Sequence, residues 1–283
     1  MATFTNRATL SYNGNSVNSN IVTGQITDVL NASKTAVTAF YSENGTVTYV
    51  ISLVNTGALA LENLTVTDNL GEYDFGGTSL YPLEYLDNSL LYYVDGTLSA
   101  APTVTAGPPL VISGVNVPAG GDAVLVYQTK VTDYAPLSSE STITNEAVIT
   151  GGGLSAPVTV TETISIEESL RLDITKALSP SVVQENGQLT YTFTIRNYGT
   201  LPAVAADNVT LTDTFDPILN PITVNFEGTP WSTPADYTYD TTTGVFSTTP
   251  GAITVPAATV AQNTDGTYSV TPGTVTLIVT GTV

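Results

Sequence analysis

Hydrophobic and polar residues alternate along many short segments of this chain. The alternation is clearest in Thr46–Leu53, Leu64–Thr67 and Leu189–Ile195. Because successive side chains of a β-strand point to opposite faces, this period of two predicts strands with one buried face. No segment of helical length shows the apolar spacing of an amphipathic helix. The pattern therefore predicts an all-β fold of short antiparallel strands packed as sandwiches.

One ordered set of motifs occurs twice. Lys34 recurs as Lys176, 142 residues later, and Asp68 recurs as Asp213, 145 residues later, because the second copy carries an insertion around Leu201–Ala206. A period of this length predicts two tandem domains. The shared motifs are Lys34, Asn44-Gly45, Thr48-Tyr49, Asn55–Gly57 and Val66–Asp68 in the first copy and Lys176, Asn186-Gly187, Thr190-Tyr191, Asn197–Gly199 and Leu211–Asp213 in the second.

These motifs resemble the conserved-repeat domain of bacterial and archaeal surface proteins, the domain-of-unknown-function family numbered eleven. Its pattern runs from a Lys through Gly-x-x-Thr-Tyr and Asn-x-Gly to Val-Thr-Asp, and both copies carry it. The resemblance covers most of the chain. It implies Ig-like β-sandwiches, a structural role at the cell surface or outside the cell, and no enzyme activity.

The boundaries of the two repeats do not coincide with the first and last residues of the sequence. The first copy closes with the strands Thr142–Ile149 and Val158–Thr161, whereas the second copy ends at Val275–Val283. Segment Thr3–Leu10 matches Thr142–Ile149 and places Asn6 on Asn145. These boundaries predict a donor hairpin at 1–23, a linker at 24–30, a complete sandwich at 31–168, and a second sandwich at 169–283 that lacks its last hairpin.

An incomplete sandwich leaves unpaired strand edges that recruit a compatible strand. We therefore expect the second sandwich to be completed by the N-terminal hairpin of a neighbouring subunit, which gives a head-to-tail filament because such a contact does not close. The predicted donor residues are Phe4, Asn6, Ala8, Leu10 and Ile21, and the predicted acceptor residues are Val275, Leu277, Val279, Leu172 and Ile174. The alternatives are a monomer or ring that closes on itself, a fragment of a longer array, and a monomeric surface adhesin or carbohydrate-binding module.

Three polar residue types recur on otherwise apolar strand faces. Lys34, Asp68 and Asn145 belong to the first copy, while Lys176 and Asp213 belong to the second and Asn6 to the hairpin. A Lys, an acid and an Asn in this layout resemble the self-formed isopeptide bonds of Gram-positive surface domains, in which a neutral Lys attacks an amide. The alternative is structural, because Lys snorkels, Asp caps turns and Asn bonds to loops.

Two further kinds of site are weaker predictions. Asp68, Glu72 and Asp74 cluster near a turn and supply the oxygen ligands that calcium prefers, although without EF-hand spacing. Aromatic residues could form a sugar-binding face or could simply pack across strands. They are Trp231, Tyr81, Tyr85, Tyr92, Tyr93, Tyr237 and Tyr239. We expect no other cofactor.

The composition excludes several functions. The chain has no Cys and no His, which excludes Ser-His-Asp triads, cysteine nucleophiles, disulfides and the usual zinc and haem sites. Nothing in the sequence pairs the carboxylates that a glycosidase needs, so we expect no enzyme. Six basic residues against 25 acidic ones argue against nucleic acid, and the apolar runs are too short for membrane insertion.

The expected location is extracellular, at the cell or spore surface of a prokaryote. No signal peptide is visible, and the sequence shows no Leu-Pro-x-Thr-Gly sorting signal. Attachment to a wall would then need an anchoring protein, and a capping protein is a further candidate partner. The main partner that we expect is a second copy of the same chain.

Overall fold

A computed structural model describes residues 2–283 and shows an all-β chain of antiparallel sheets. The fold class predicted from the alternation is confirmed. Among these residues the only helix is a single 3₁₀ turn, Ala205–Asp207, so none has the length and apolar character needed to cross a membrane. The strands group into two compact units, one formed by residues up to Pro136 with Thr142–Ser165 and the other by Leu137–Ser141 with Ile166–Val283.

The first unit begins with an N-terminal hairpin and continues as a two-sheet sandwich. The hairpin strands are β1 (Ala2–Asn6), β2 (Thr9–Tyr12), β3 (Asn15–Asn18) and β4 (Val22–Ile26). The sandwich strands are β5 (Leu30–Ala36), β6 (Phe40–Tyr41), β7 (Thr46–Asn55), β8 (Leu61–Asp68), β9 (Tyr73–Phe75), β10 (Thr78–Leu80), β11 (Leu83–Tyr85), β12 (Leu91–Val94), β13 (Thr97–Ser99), β14 (Thr103–Thr105), β15 (Leu110–Val117), β16 (Asp122–Val131), β17 (Thr142–Gly151) and β18 (Val158–Ile166).

Two sheets enclose the core of the first sandwich. One sheet has the strand order β13-β12-β16-β7-β5 and the other β14-β15-β8-β17-β18-β6. In β7 and β16 every second side chain is buried, as the alternation requires. Burying these side chains removes apolar area from water and so stabilises the pair of sheets. The largest fully buried side chains include Tyr49, Ile51, Leu53, Leu64, Ile112, Leu125 and Tyr127.

The second unit repeats one sheet of the first but has a smaller opposing sheet. Its strands are β19 (Leu172–Ser179), β20 (Gln188–Asn197), β21 (Thr212–Thr214), β22 (Ile222–Phe226), β23 (Thr229–Trp231), β24 (Tyr237–Tyr239), β25 (Val245–Thr248), β26 (Thr259–Gln262), β27 (Tyr268–Thr271) and β28 (Gly273–Thr282). The larger sheet has the order β19-β20-β28-β22-β23, and the smaller has β21-β25-β24.

Each unit contains its own buried polar anchor, formed by the Asn of the repeated Asn-x-Gly motif. Asn55 Nδ2 donates to the Leu59 and Pro118 carbonyl oxygens at 2.8 and 2.9 Å, and its Oδ1 accepts from Gly57 N. Asn197 Nδ2 donates to the Leu201 and Pro256 carbonyl oxygens, and its Oδ1 accepts from Gly199 N. Each side chain satisfies loop groups that would otherwise be buried without partners.

The N-terminal hairpin is longer than the predicted residues 1–23. β1 pairs with β4 and β2 with β3, so the antiparallel pairing continues to Ile26. Asn13 and Gly14 both have positive φ, as a two-residue hairpin turn of the primed type requires. The connection to β5 is therefore only residues 27–29, shorter than the predicted linker.

Candidate functional site

The smaller sheet of the second unit has an open edge. In the first unit, β8 pairs with β15 on one side and with β17 on the other. Its counterpart β21 pairs with β25 only, among the strands that the structure describes. No strand of residues 2–283 occupies the position that β17 holds in the first unit. The edge of β21 is thus free to pair with an added strand.

An apolar groove lies beside that edge, between β19 and β21. It is an open cavity of about 430 Å³, and its apolar lining consists of Leu172, Ile174, Ile195, Val209, Leu211 and Ile253. All eight residues of β19 are exposed, and Ile174 is 49% exposed. Leu30, which occupies the position of Leu172 in the first repeat, is buried. We call this surface, together with the free edge of β21, the acceptor groove.

Part of the predicted acceptor surface needs correction. Leu172 and Ile174 line the groove as predicted, but Val275, Leu277 and Val279 on β28 are buried in the core of the second unit. These three side chains already pack against the unit's own residues, so they offer no surface to an added strand. The alternation identified their buried face correctly but did not show which residues cover it.

Within β1 and β4 the N-terminal hairpin follows the register of the hairpin that the first sandwich already contains, and beyond Asn6 the β2–β3 pairing is shifted by one residue. Phe4 pairs with Gly24 and Asn6 with Val22 across β1 and β4. In the same arrangement Ile143 pairs with Ile164 and Asn145 with Glu162 across β17 and β18. The match predicted between Thr3–Leu10 and Thr142–Ile149 therefore has a structural parallel only as far as Asn6, because β17 and β18 keep one register to Ile149 whereas Leu10 pairs with Val17.

Burial distinguishes the two hairpins. Ile143, Asn145, Ala147 and Ile149 form the buried face of β17. On the N-terminal hairpin, Phe4 is 51% exposed and Leu10 is 68% exposed. Asn6 and Ala8 are exposed as well, and Ile21 lies exposed just before β4. The predicted donor residues are therefore all unburied in this chain. Ile26 is also exposed.

The first sandwich contains a buried ion pair. Lys34 on β5 donates to Asp68 Oδ2 at the end of β8, with 2.7 Å between Nζ and Oδ2, and both side chains are removed from solvent. The Tyr127 hydroxyl donates a short hydrogen bond to the same oxygen, and Asp68 Oδ1 accepts from Leu70 N. Burial lowers the pKa of Lys34, although the charge and hydrogen bond of Asp68 oppose this shift.

Asn145 lies in the same interior with no hydrogen bond of ordinary geometry. It is fully buried on β17, and among the described residues neither Nδ2 nor Oδ1 has a hydrogen-bond partner. The Tyr49 hydroxyl interacts electrostatically with this amide without completing a hydrogen bond, and the Tyr49 ring lies 4.9 Å below Lys34 Nζ. Tyr49 thus contacts both the amine and the amide. Leaving a buried amide unpaired costs about 1–3 kcal/mol, so Asn145 needs an explanation.

The second unit holds the equivalent Lys–Asp pair, but near its surface. Lys176 Nζ on β19 donates a short hydrogen bond to Asp213 Oδ2 on β21. The Lys176 side chain is 41% exposed and that of Asp213 is 19% exposed. The Tyr191 ring, which corresponds to Tyr49, lies 4.4 Å from Lys176 Nζ. The pair joins β19 to β21 just beyond the groove-lining residues Ile174 and Thr212, and no Asn of the second unit takes the position of Asn145.

Tyr127 is the functional residue that the sequence patterns missed. It pairs with Tyr49 across β16 and β7, whereas the residue paired with Tyr191 in the second unit is Val279. A comparison of the two repeats therefore does not single out Tyr127. A buried hydroxyl among apolar residues was the only available signal. Burial raises the pKa of Tyr127 well above its ordinary value, and the charge of Asp68 adds to this shift.

The structure does not bring the predicted calcium ligands together. Asp68 is buried with Lys34 and Tyr127, whereas the exposed Glu72 accepts a hydrogen bond from the Ser79 hydroxyl. Asp74 Oδ1 instead accepts from Gly77 N within its own turn. Residues 2–283 contain no group of three or more His, Cys, Asp or Glu side chains arranged to hold a metal ion. The grouping of Asp68 with Glu72 and Asp74 is therefore wrong.

The aromatic residues predicted to form one face instead pack at separate places in the structure. Tyr85, Tyr92 and Tyr237 are buried. The Tyr239 hydroxyl donates to the Leu219 carbonyl at 2.8 Å, and the Trp231 ring packs against Phe226 with 4.9 Å between ring centroids. These contacts match the structural alternative, in which aromatic side chains pack across strands.

No protein-family model and no curated protein matches this chain. The resemblance to the conserved-repeat domain therefore stays a prediction. Solved structures similar to the chain include a family 123 glycoside hydrolase from Clostridium perfringens, with 11% identity, a TM-score of 0.31, and coverage of 49% of this chain and 27% of that one.

Two pilins are also similar. The pilus backbone RrgB of Streptococcus pneumoniae has 12% identity and a TM-score of 0.34, and the alignment covers 86% of this chain and 55% of that one. The full-length major pilin SpaD of Corynebacterium diphtheriae has 13% identity and a TM-score of 0.37, with coverage of 86% and 59%. This chain thus spans less than two thirds of each of the three proteins.

Proposed function

We propose that this chain is the structural subunit of an extracellular filament and that it polymerises head to tail. The N-terminal hairpin of one copy inserts into the acceptor groove of the next. The observation that carries the proposal is a complementary pair of surfaces: the chain has an exposed hairpin whose first strand matches β17 in sequence, and the second unit lacks a strand at the position beside β21 that β17 holds beside β8.

The first sandwich supplies the geometry of the proposed joint. In it, Ala147 pairs with Asp68 and Ile149 with Val66. The repeat then places Ala8 opposite Asp213 and Leu10 opposite Leu211. Main-chain hydrogen bonds would continue the smaller sheet of the second unit, and alternate side chains would enter the groove.

Burial of apolar side chains would stabilise this joint. Phe4, Leu10 and Ile26 are exposed on the donor hairpin, and Leu172 and Ile174 are exposed in the groove. Each large apolar side chain that moves from water into a core contributes about 1.5–3 kcal/mol. Donor and acceptor are different surfaces, so the contact is heterologous, and repeated head-to-tail contacts build an open filament.

The role that we assign is structural, with no catalytic site, no cofactor and the chain itself as partner. The net charge of −19 suits a solvated filament and disfavours polyanionic partners such as nucleic acid. The surface of a prokaryotic cell or spore is the location that the repeat resemblance implies.

Negative-stain electron microscopy tests the proposal. The full chain is compared with a variant that lacks residues 2–26; the side chains of residues 3–23 are exposed and contribute little to either core. We expect filaments from the full chain, monomers from the truncated chain, and capping of growing filaments by a synthetic peptide of residues 2–26. Monomers from both chains would contradict the proposal. Sedimentation would then show whether the chain closes on itself, or remains an open monomer as a surface adhesin would.

A further inference from the structure

We propose that the chain forms Lys–Asn amide bonds without another enzyme, one from Lys34 to Asn145 inside the first sandwich and one from Lys176 to Asn6 of an incoming hairpin. All the groups that the first bond needs belong to the first sandwich. The second rests on the proposed function, because it needs a hairpin in the acceptor groove.

The first site places an amine, a carboxyl group and an amide together in a dry core. Lys34 contacts Asp68, Asp68 accepts from Tyr127, and Asn145 is buried beside Tyr49 with no hydrogen bond. A buried amide with no partner is costly. Its carbonyl carbon is also unprotected from a neighbouring nucleophile. Condensation with Lys34 would explain why Asn145 stands there without a partner.

The step balances without an outside reagent. A proton moves from Lys34 Nζ to Asp68, which leaves a neutral amine and a carboxylic acid. The amine attacks Asn145 Cγ and the new C–N bond forms. Asp68 then gives its proton to Nδ2 and accepts a second proton from the attacking nitrogen, the old C–N bond breaks, ammonia leaves, and Asp68 remains a carboxylic acid. Burial favours the neutral amine because it disfavours the charged form of Lys34.

The second site holds two of the three groups. Lys176 and Asp213 are already in contact over the Tyr191 ring, as Lys34 and Asp68 are near Tyr49. The missing group is an Asn at the position of Asn145. The sequence match of Thr3–Leu10 with Thr142–Ile149 assigns that position to Asn6. Insertion of the hairpin therefore supplies the amide and covers a Lys that is now 41% exposed.

Assembly thus controls the second bond. Before insertion, water reaches Lys176 and no amide faces it, so the pair behaves as an ordinary ion pair. After insertion, the amine, the acid and the Asn6 amide are enclosed together. The second site has Val279 where the first has Tyr127, so it lacks the hydroxyl that donates to the acid. We expect the second bond to form more slowly than the first.

Intact mass spectrometry of the Asn6→Ala chain tests the first bond, since this variant cannot form the second. We expect a mass below the sequence mass by one ammonia molecule, about 17 Da, and a branched peptide that joins Lys34 to Asn145 after digestion. Asn145→Ala and Asp68→Ala in the same background should show the full sequence mass. The control Asn20→Ala in that background should still show the mass lowered by one ammonia molecule. A full sequence mass for the Asn6→Ala chain itself would overturn the first bond.

Boiled SDS gels of assembled full chain test the second bond. We expect a ladder of multimers, which Asn6→Ala and Lys176→Arg abolish while filaments remain visible by microscopy. The matched controls Asn31→Ala and Lys130→Arg should keep the ladder, since both residues are exposed and lie outside the hairpin and the acceptor groove. Filaments that dissociate entirely to monomers on boiling in SDS would overturn the second bond but would not contradict the filament proposal. A full chain that forms neither filaments nor multimers would overturn both.

Discussion

The Lys34 amine lies 2.7 Å from the Asp68 carboxylate, and both side chains are removed from solvent. The equivalent Lys176 and Asp213 are in contact near the surface of the second unit. One motif thus occurs in two states of burial within one chain. The difference follows from the strand beside the acid: β17 covers the first pair, whereas no described strand covers the second.

Removal of Asp68 should destabilise the first sandwich strongly. In Asp68→Ala a buried Lys loses its counter-charge, which costs about 3–5 kcal/mol in proteins. Asp213→Ala should cost about 1 kcal/mol or less, because that pair is partly solvated. Urea unfolding followed by circular dichroism measures both variants. Equal losses of stability would contradict the difference in burial.

Two tyrosines should resist alkaline titration. Burial raises the pKa of Tyr49 and Tyr127, so both keep their protons in the folded chain above pH 10, where unfolded tyrosines ionise. Their stabilising contribution is complete below pH 10 and falls as the pH rises further, because the unfolded state then binds fewer protons.

Spectrophotometric titration of tyrosinate checks this expectation. Of 15 tyrosines, two should ionise only when near-ultraviolet circular dichroism is lost. Tyr127→Phe should remove one late-titrating group. Titration of every tyrosine before unfolding would be inconsistent with the burial of this pair.

Asn197→Ala should destabilise the second unit by about 2–3 kcal/mol, because two carbonyl oxygens and the Gly199 N–H lose their partner. Trp231 is the chain's only tryptophan and lies in this unit, so its fluorescence during denaturation reports the loss. Asn55→Ala removes the same anchor from the first unit and should leave the fluorescence transition in place. A shift of that transition by Asn55→Ala would show that the units do not unfold independently.

Ile174→Arg should abolish filaments with little effect on stability. Its side chain is half exposed in the acceptor groove, so a charge there is hydrated in the free chain but would be buried in the joint. Val182→Arg is the matched control, because Val182 is 85% exposed in the same unit and lies outside the groove. Microscopy should show filaments from the control only. Filaments from Ile174→Arg would place the joint elsewhere.

Filament bundling should increase with salt. A net charge of −19 makes neighbouring filaments repel, and about 0.1 M salt screens such repulsion beyond roughly 10 Å. Light scattering across a salt series measures this, with the variant lacking residues 2–26 as an unassembled control. Scattering that does not change with salt would mean that charge does not keep the filaments apart.

The sequence predicted most of the secondary structure and the repeat, because period-two burial and turn residues act locally. The pairing of Lys34 with Asp68 also followed from polar residues on apolar faces. Other features depended on tertiary packing. Val275 and its neighbours are covered by the chain itself, and Asp68 points into the core rather than toward Glu72. Alternation shows which face of a strand is apolar but does not identify what packs against it.

Lys34 and Asn145 lie on β5 and β17, near the beginning and the end of the first sandwich. A pulling force along the chain enters this unit through β5 and leaves it through β18. Once Lys34 is joined to Asn145, the force passes through the new covalent link and bypasses the residues between them. Those residues number about 110 and would otherwise extend by roughly 400 Å. The first sandwich would then be nearly inextensible, which is the mechanical property that a filament under tension requires.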